Sequence, residues 1–437
     1  MPTGTLAAAT VALLATISAG AASAASAAGA AGAATAAAAE TPGTFTLVES
    51  WPQHTALDLP GIPDAADVWA QVIGKAATRL DLAGFYFSRK GDGKDAGGPA
   101  GAPDLLLPVL AQVEAAAGRG VVVRLLADAK FERTYPDVPA WAGTLPGAAS
   151  RLFDVGAAWG GVLHAKYFLV DDDGLYLGSQ NFDWRALGQI HELGVLVRDR
   201  ALAGRARQVF ELDWALAGGK TGAAASPAEA EQAPLAELPS VALTSPAGDI
   251  VQAVLAASPR AGLPAGVPWD LPLLIGMMDA ARDSVHLQLL SYGVSDREGR
   301  LFDDLDRALR RAAVRGAKVR IILADWSATK YALPWIKSLA AVPGVEIRLT
   351  SIPEHPEGFI PFARVEHAKY LSVDGNALWV GTSNWSRDYF FESRNLSLFL
   401  GGAGAPRDAD RFFNQSWHGP YATAVSPCGD YAAPRRN

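Results

Sequence analysis

Apolar positions along this chain switch between two periods, and the switching repeats. Thr44–Pro52 alternates as a strand does. Ala65–Thr78 carries Val68, Trp69, Val72 and Ile73 at helical spacing, and LDLAGFYF over Leu80–Phe87 reads as a buried strand. Arg89–Pro103, rich in Gly, Asp and Lys, predicts a loop. Leu105–Ala117 predicts a helix ended by Gly118 and Gly120, and Val121–Ala127 a strand with the continuous Val/Leu run of a sheet covered on both faces. A further strand begins at His191, and Ala201–Ala217 closes the series as a helix. From Leu271 the order recurs, with a helix over Leu271–Ala281, a strand over Val285–Tyr292 and an amphipathic helix over Leu301–Val314. Arg315–Ile322 (RGAKVRII) then echoes Arg119–Leu126 (RGVVVRLL). Short helices follow over Trp335–Ala341 and Asp410–Trp417. Strands alternating with helices predict an α/β fold made of two homologous halves.

One stretch of each half repeats residue for residue. HAKYFLVDDDGLYLGSQN holds His164, Lys166, Asp171, Gly178, Ser179 and Asn181; HAKYLSVDGNALWVGTSN holds His367, Lys369, Asp374, Gly381, Thr382 and Asn384, at the same spacings. Each copy predicts strand, turn, strand, with the turns at Asp172-Asp173-Gly174 and Asp374-Gly375-Asn376. His and Lys two apart on a strand share a face, so each copy presents an imidazole, an ammonium and an amide together. Two such sets face to face surround one phosphate.

Composition narrows the setting. With 437 residues, half of them apolar, the chain is long enough for two domains or one duplicated one. A net charge of −7 argues against a general polyanion coat and leaves room for a local basic groove. Residues 1–40 read as a signal peptide, Leu6–Ile17, followed by an Ala/Gly/Ser segment with an A-x-A-like site near Ala22 and Ala24. That predicts a secreted or periplasmic protein, with an N-terminal membrane anchor as the alternative. The single cysteine, Cys428, permits no internal disulfide. No His/Cys/Asp cluster has zinc spacing, and neither metal nor cofactor is expected.

The twin H-x-K-x4-D-x6-G-[ST]-x-N motif resembles that of the phospholipase D superfamily. Within it, GVLHAKYFLVDDDGLYLGSQNFDWRAL, HELGV, IPFARVEHAKY and GTSNWSRDYFFES are similar to the branch of animal endolysosomal phospholipase-D-like 5′-exonucleases, over about Leu47 to Tyr421. The resemblance implies two halves, each a mixed sheet flanked by helices, packed about a pseudo-twofold axis. The domains are then 44–217 and 269–425, joined by a linker over 218–268 and followed by a tail over 426–437.

The resemblance also assigns roles. His164 is the nucleophile and His367 the acid/base, an order the symmetry of the two sets leaves reversible. Lys166, Lys369, Asn181 and Asn384 hold phosphoryl oxygens, and Ser179 and Thr382 add hydroxyls. Each histidine needs an orienting group on its other nitrogen. Glu192 stands where the family uses one. In the second copy the same spacing falls on Asn395, and Glu392 is the nearest acid and matches the branch. Asp171 and Asp374, members of the motif, are expected to hold turns. Trp159, Phe182, Trp184, Trp385, Tyr389 and Phe390 are candidates for stacking bases or contacting acyl chains, with core packing the commoner fate of such residues. The substrate is a phosphodiester. Single-stranded nucleic acid is the first reading, a membrane phospholipid (with contact to the membrane surface) the second, and a catalytically inactive binding protein the remote third.

Overall fold

A computed structural model describes residues 42–92, 97–219, 238–296 and 299–437. The signal peptide expected over 1–40 lies outside the described residues, as does most of the low-complexity part of the expected linker.

Each half builds a mixed sheet in the same spatial order, from the predicted strands together with Ala149–Phe153, Ile250–Ser258, Val345–Thr350 and Ala422–Ala424, which were not expected. In the first half Gly43–Ser50 lies innermost, followed by Glu192–Arg198, Gly174–Gly178, Tyr167–Val170, Arg79–Gly84, Val122–Asp128 and Ala149–Phe153. The second half runs Ile250–Ser258, Asn395–Gly401, Ala377–Gly381, Tyr370–Val373, Ser284–Leu289, Lys318–Ala324 and Val345–Thr350, with Ala422–Ala424 on the outer edge. The outer strands pair in parallel, with helix Leu106–Gly118 crossing between the first two in one half and helix Asp304–Val314 in the other. The motif strands form antiparallel hairpins beside them.

The expected linker needs correction. Val241–Thr244 and Ile250–Ser258 are strands of the sheet, and Ile250–Ser258 pairs along its length with Asn395–Gly401. Its sequence, IVQAVLAAS, holds three alanines, lacks strict alternation and stands among Pro and Gly, so it gives little strand signal. It is the partner of Gly43–Ser50 in the pseudo-twofold, since that strand pairs with Glu192–Arg198 in the same antiparallel way. Val241–Thr244 joins the two sheets through a short parallel contact at Gly43↔Leu243 and Thr44↔Thr244. The tail over 426–437 also packs on the body: Phe362 N–H donates to the Arg436 carbonyl at 2.7 Å, and the Arg435 guanidinium lies 4.2 Å over the Phe359 ring.

The halves share a core. One buried cluster takes Leu163, Ala165 and Phe210 from the first half together with Ala368, Tyr370 and Phe412 from the second. Between the halves the backbone is stitched twice. His164 N–H donates to Arg394 O at 2.9 Å and Arg394 N–H to Val162 O at 3.0 Å; His191 N–H donates to Val365 O at 3.0 Å and His367 N–H to His191 O at 2.8 Å. Gly161, ahead of the first motif, permits the first stitch: a Cβ there would lie 2.4 Å from Ser393 Oγ and 2.5 Å from the Glu392 backbone. Among the described residues no helix is long and apolar enough to cross a membrane.

Candidate active site

The two stitches bring the motif histidines to the seam between the sheets. His164 and His367 each immediately precede a motif strand, and each is almost fully buried. Their flanking lysines are wholly buried: Lys166 Nζ donates to the carbonyl of His164, and Lys369 Nζ to that of His367 at 2.6 Å. This back-bonding curls each ammonium toward its own histidine. Burial holds Lys166 well below the usual lysine range, with Lys369 adding repulsion. Burial brings Lys369 down to about 7 against the opposing pull of Glu192 and Glu366. Two buried lysines that repel one another in a poorly solvated space are a site in want of an anion.

The orienting groups cross the seam. Glu192 Oε2, from the first half, lies 2.7 Å from His367 Nδ1, and Asn395 Oδ1, from the second, lies 3.2 Å from His164 Nδ1. Glu192 and Asn395 occupy equivalent positions, each opening the strand after its own motif. Asn395 is locked: Nδ2 donates to Tyr389 O at 2.8 Å and Ser393 O at 3.3 Å, and Oδ1 accepts from the Thr382 hydroxyl at 2.9 Å. Its oxygen therefore faces His164, Nδ1 of that ring carries the proton, and Nε2 keeps its lone pair.

Several expectations change here. Glu392 does not meet His164; its carboxylate pairs with Arg387 at 2.6 Å. It ends the short helix Arg387–Phe391 and so lies before the strand whose first residue, Asn395, takes the position against the ring. Ser179 is spent on backbone, and Thr382 on backbone and on the Asn395 amide. Ser179 Oγ donates to Leu193 O at 3.1 Å and accepts from Leu193 N–H at 3.0 Å, while Thr382 Oγ1 accepts from Leu396 N–H at 3.1 Å. They fix the strands that carry Glu192 and Asn395. Asp171 and Asp374 lie at the far strand ends. The Asp171 carboxylate accepts from the N–H groups of Ala77, Thr78 and Arg79 and from the Thr78 hydroxyl, and Asp374 from those of Arg282, Asp283 and Ser284. Both adopt positive φ, 50° and 52°, at the turn. Asn181 and Asn384 stay at the seam, each with a buried, unpartnered Oδ1, and Asn384 Nδ2 donates to the Tyr389 hydroxyl at 3.0 Å.

The electrostatics of the two histidines differ in their backing. Burial first, then Lys166, Lys369 and His367, push His164 well below the usual histidine range, and an amide gives it no compensating charge. His367 is pushed the same way by burial and both lysines, yet it faces a carboxyl that burial raises to about 8. At that separation the pair is one unit. While it holds two protons, one sits between Oε2 and Nδ1 and the other on Nε2, whichever partner is written as charged.

Sequence reading missed a second reciprocal pair. His191 Nδ1 lies 2.6 Å from Glu366 Oε2, both residues being buried, one position before Glu192 and His367 respectively. The residues HE and EH are adjacent doublets in sequence, and that pairing across the seam was the available signal. The aromatic candidates divide. Phe182, Trp184, Trp385 and Phe390 are core; Trp159 lies against the Arg394 guanidinium at 4.5 Å; Tyr389 meets His164 edge-on, centroids 4.7 Å apart. Phe85, 5.1 Å from His164 and 4.0 Å from Phe131, was unforeseen. The strand Arg79–Gly84 stops at Gly84, so Phe85 and Tyr86 leave the sheet half-buried, with Phe85 beside the ring.

Comparison with known proteins decides the family. A model described as cardiolipin synthase, PLD-like domain, matches residues 70–214 and again 274–417, one match per half. The chain belongs to the phospholipase D superfamily. Over 407 residues it is 31% identical to the human 5′-3′ exonuclease PLD3, covering 88% of this chain and 81% of that one. It is 29% identical over 410 residues to phospholipase D Z of Dictyostelium discoideum, covering 88% and 91%. The phosphatidylserine synthase of Haemophilus influenzae shares the fold, with a TM-score of 0.57 at 12% identity over 82% of this chain and 85% of that one.

Proposed function

We propose that this chain is a phosphodiesterase that removes nucleotides from the 5′ end of single-stranded nucleic acid, through a phosphohistidine at His164. The observation that carries the mechanism is the unequal backing of the two rings, an amide behind His164 and a carboxyl behind His367. A nucleophile must be neutral with a free lone pair, and an acid must hold a proton. In the first step His164 Nε2 attacks phosphorus. The P–N bond forms, the P–O bond to the leaving group breaks, and His367 Nε2 gives that oxygen its proton. In the second step water loses a proton to His367 Nε2 and attacks phosphorus, and the P–N bond breaks. Lys166, Lys369 and the amides of Asn181 and Asn384 meet the charge on the equatorial oxygens.

Two features support nucleic acid as substrate. The exonucleases are similar to this chain over nearly all of it, and half-exposed Phe85 and Tyr389 flank His164, with half-exposed Phe131 against Phe85, as rings on which a base can stack. The similarity to phospholipase D Z makes phospholipid hydrolysis the second reading. Product analysis separates them: a 5′-hydroxyl oligonucleotide yields mononucleotides, and phosphatidylcholine vesicles yield little choline. Choline release without mononucleotides reverses the substrate and leaves the chemistry standing. Export is part of the proposal on the strength of the N-terminal apolar segment, and N-terminal sequencing of the mature protein from the medium or periplasm tests it.

A further inference from the structure

A buried guanidinium and two histidines lie together beside the seam. Arg364 stands three residues before His367, tied across the seam by its N–H to Gln189 O at 2.8 Å. It is only 7% exposed. Its guanidinium spans two loops: Nε donates to Pro353 O at 2.7 Å, and Nη1 to Gln53 O at 2.7 Å and Gln189 Oε1 at 3.2 Å. Nη2 is buried with no partner, and among the described residues no carboxylate pairs with Arg364. A buried guanidinium is ordinarily neutralised, as Arg394 is by Asp213 at 2.8 Å and Arg185 by Asp183 at 2.6 Å.

Each loop that Arg364 grips carries a histidine next to the grip. His54 follows Gln53, and His355 lies two residues after Pro353; their rings meet edge to face with centroids 5.1 Å apart. His355 is 3% exposed, and its Nδ1 accepts from Glu357 N–H at 3.2 Å. Its proton is therefore on Nε2, which is buried and has no acceptor. Arg364 Nη2 and His355 Nε2 are thus two hidden donors in one cluster, each unfavourable while unmatched. Burial first, then His54, Arg364 and Lys90, disfavour a charge on His355, and Glu357 pulls the other way. The backbone is also held out of its usual range there, with φ of 62° at His54, 55° at Phe362 and 55° at Arg364, a concentration typical of ligand sites. Donors and cations without acceptors select an anion and repel a metal ion.

We propose that Arg364, His355 and His54 form a second anion site, which takes a phosphate group other than the one His164 attacks. Two sources share this chemistry, a neighbouring phosphate of the bound strand and free inorganic phosphate. The first source rests on the nucleic-acid reading above; the site itself does not.

Titration of the full chain with inorganic phosphate in a calorimeter tests it. The wild type binds two phosphates, and His355→Phe and Arg364→Gln each bind one. His54→Ala, at an exposed position, binds the second phosphate roughly tenfold more weakly, the loss of one charge-assisted hydrogen bond. A single phosphate on the wild type, or two undiminished phosphates on His54→Ala and His355→Phe alike, overturns the proposal and leaves water on the two donors. The source is read from KM for a dinucleotide with one phosphate and a trinucleotide with two. A strand phosphate predicts that His54→Ala raises the trinucleotide KM several-fold more than the dinucleotide KM. Equal effects, with two phosphates still bound by the wild type, assign the site to free phosphate. Absence of any nuclease activity with two phosphates bound sinks the nucleic-acid reading and keeps the site.

Discussion

Glu192 of the first half lies 2.7 Å from the imidazole of His367 in the second, and the second half does not return a carboxylate to His164. Asn395, its equivalent, offers His164 an amide oxygen at 3.2 Å. The duplication therefore makes a site that is symmetric in its lysines and motif asparagines and asymmetric in the groups behind its histidines. Neither half holds a complete site, because each histidine is oriented by the other half.

The pH profile follows from this asymmetry. The Glu192–His367 unit must keep its second proton to serve as acid, and burial raises the Glu192 carboxyl to about 8, so kcat/KM falls as pH rises through that value. His164 must be neutral, and burial and the lysines hold it well below the usual histidine range, so the acid limb lies below about 6.5. Initial rates from pH 4 to 10 check both limbs. A profile that falls on the acid side near 6.5 or above contradicts the neutral His164.

Exchanging the backing groups moves the limbs separately. Glu192→Gln removes the proton store behind His367; kcat drops by roughly 10²–10⁴-fold, the range for general acid catalysis. Asn395→Asp sets a carboxylate behind His164, favours its imidazolium and brings the acid limb up toward neutrality. If Asn395→Asp instead moves only the alkaline limb, the two histidines have their roles reversed.

Most of the fold was legible because strand and helix periods repeat in both halves, and the motif residues were legible because their spacing is invariant. What escaped depends on contacts between halves. Glu392 was an acid near its motif in sequence, but the helix that ends there carries it to Arg387. The spacing equivalent to Glu192 falls on Asn395, but an amide is not the acid expected behind a histidine, and only the contact across the seam shows that it takes that place. Ile250–Ser258 failed for a different reason: alanine is a weak strand former, and its position is fixed by pairing with Asn395–Gly401. Phe85 was read as buried strand because Gly84 gave no sign that the chain leaves the sheet there.

The seam also has a structural anchor. Arg394 and Asp213 pair with both side chains wholly buried, and Arg394 further donates to Ser258 O at 3.0 Å and Gly262 O at 2.6 Å. Asp213→Ala leaves that guanidinium buried and unpaired, at a cost of roughly 3–5 kcal/mol. Urea unfolding measures it. A loss under about 1 kcal/mol would mean that water reaches the guanidinium and that the seam is looser than its burial implies.

The aromatic flank of His164 decides between substrates. Phe85 and Phe131 stand 4.0 Å apart beside the ring, with Tyr86 stacked on Tyr135 at 4.9 Å behind them. Stacking a base on such a ring contributes about 1–3 kcal/mol, and the phosphates of a strand add a salt-dependent part. Phe131→Ala therefore raises KM for a single-stranded oligonucleotide roughly tenfold or more, with a smaller change in kcat, because Phe131 lies one ring removed from His164. KM also rises with added salt in the wild type, with a steeper slope for longer strands. An abasic oligonucleotide supplies the control, since it keeps the phosphates and removes the bases. Phe131→Ala then has little effect, and the salt dependence survives. Should the substitution weaken intact and abasic strands equally, the ring is packing the site rather than holding a base, and the preference for nucleic acid must rest on the phosphates alone.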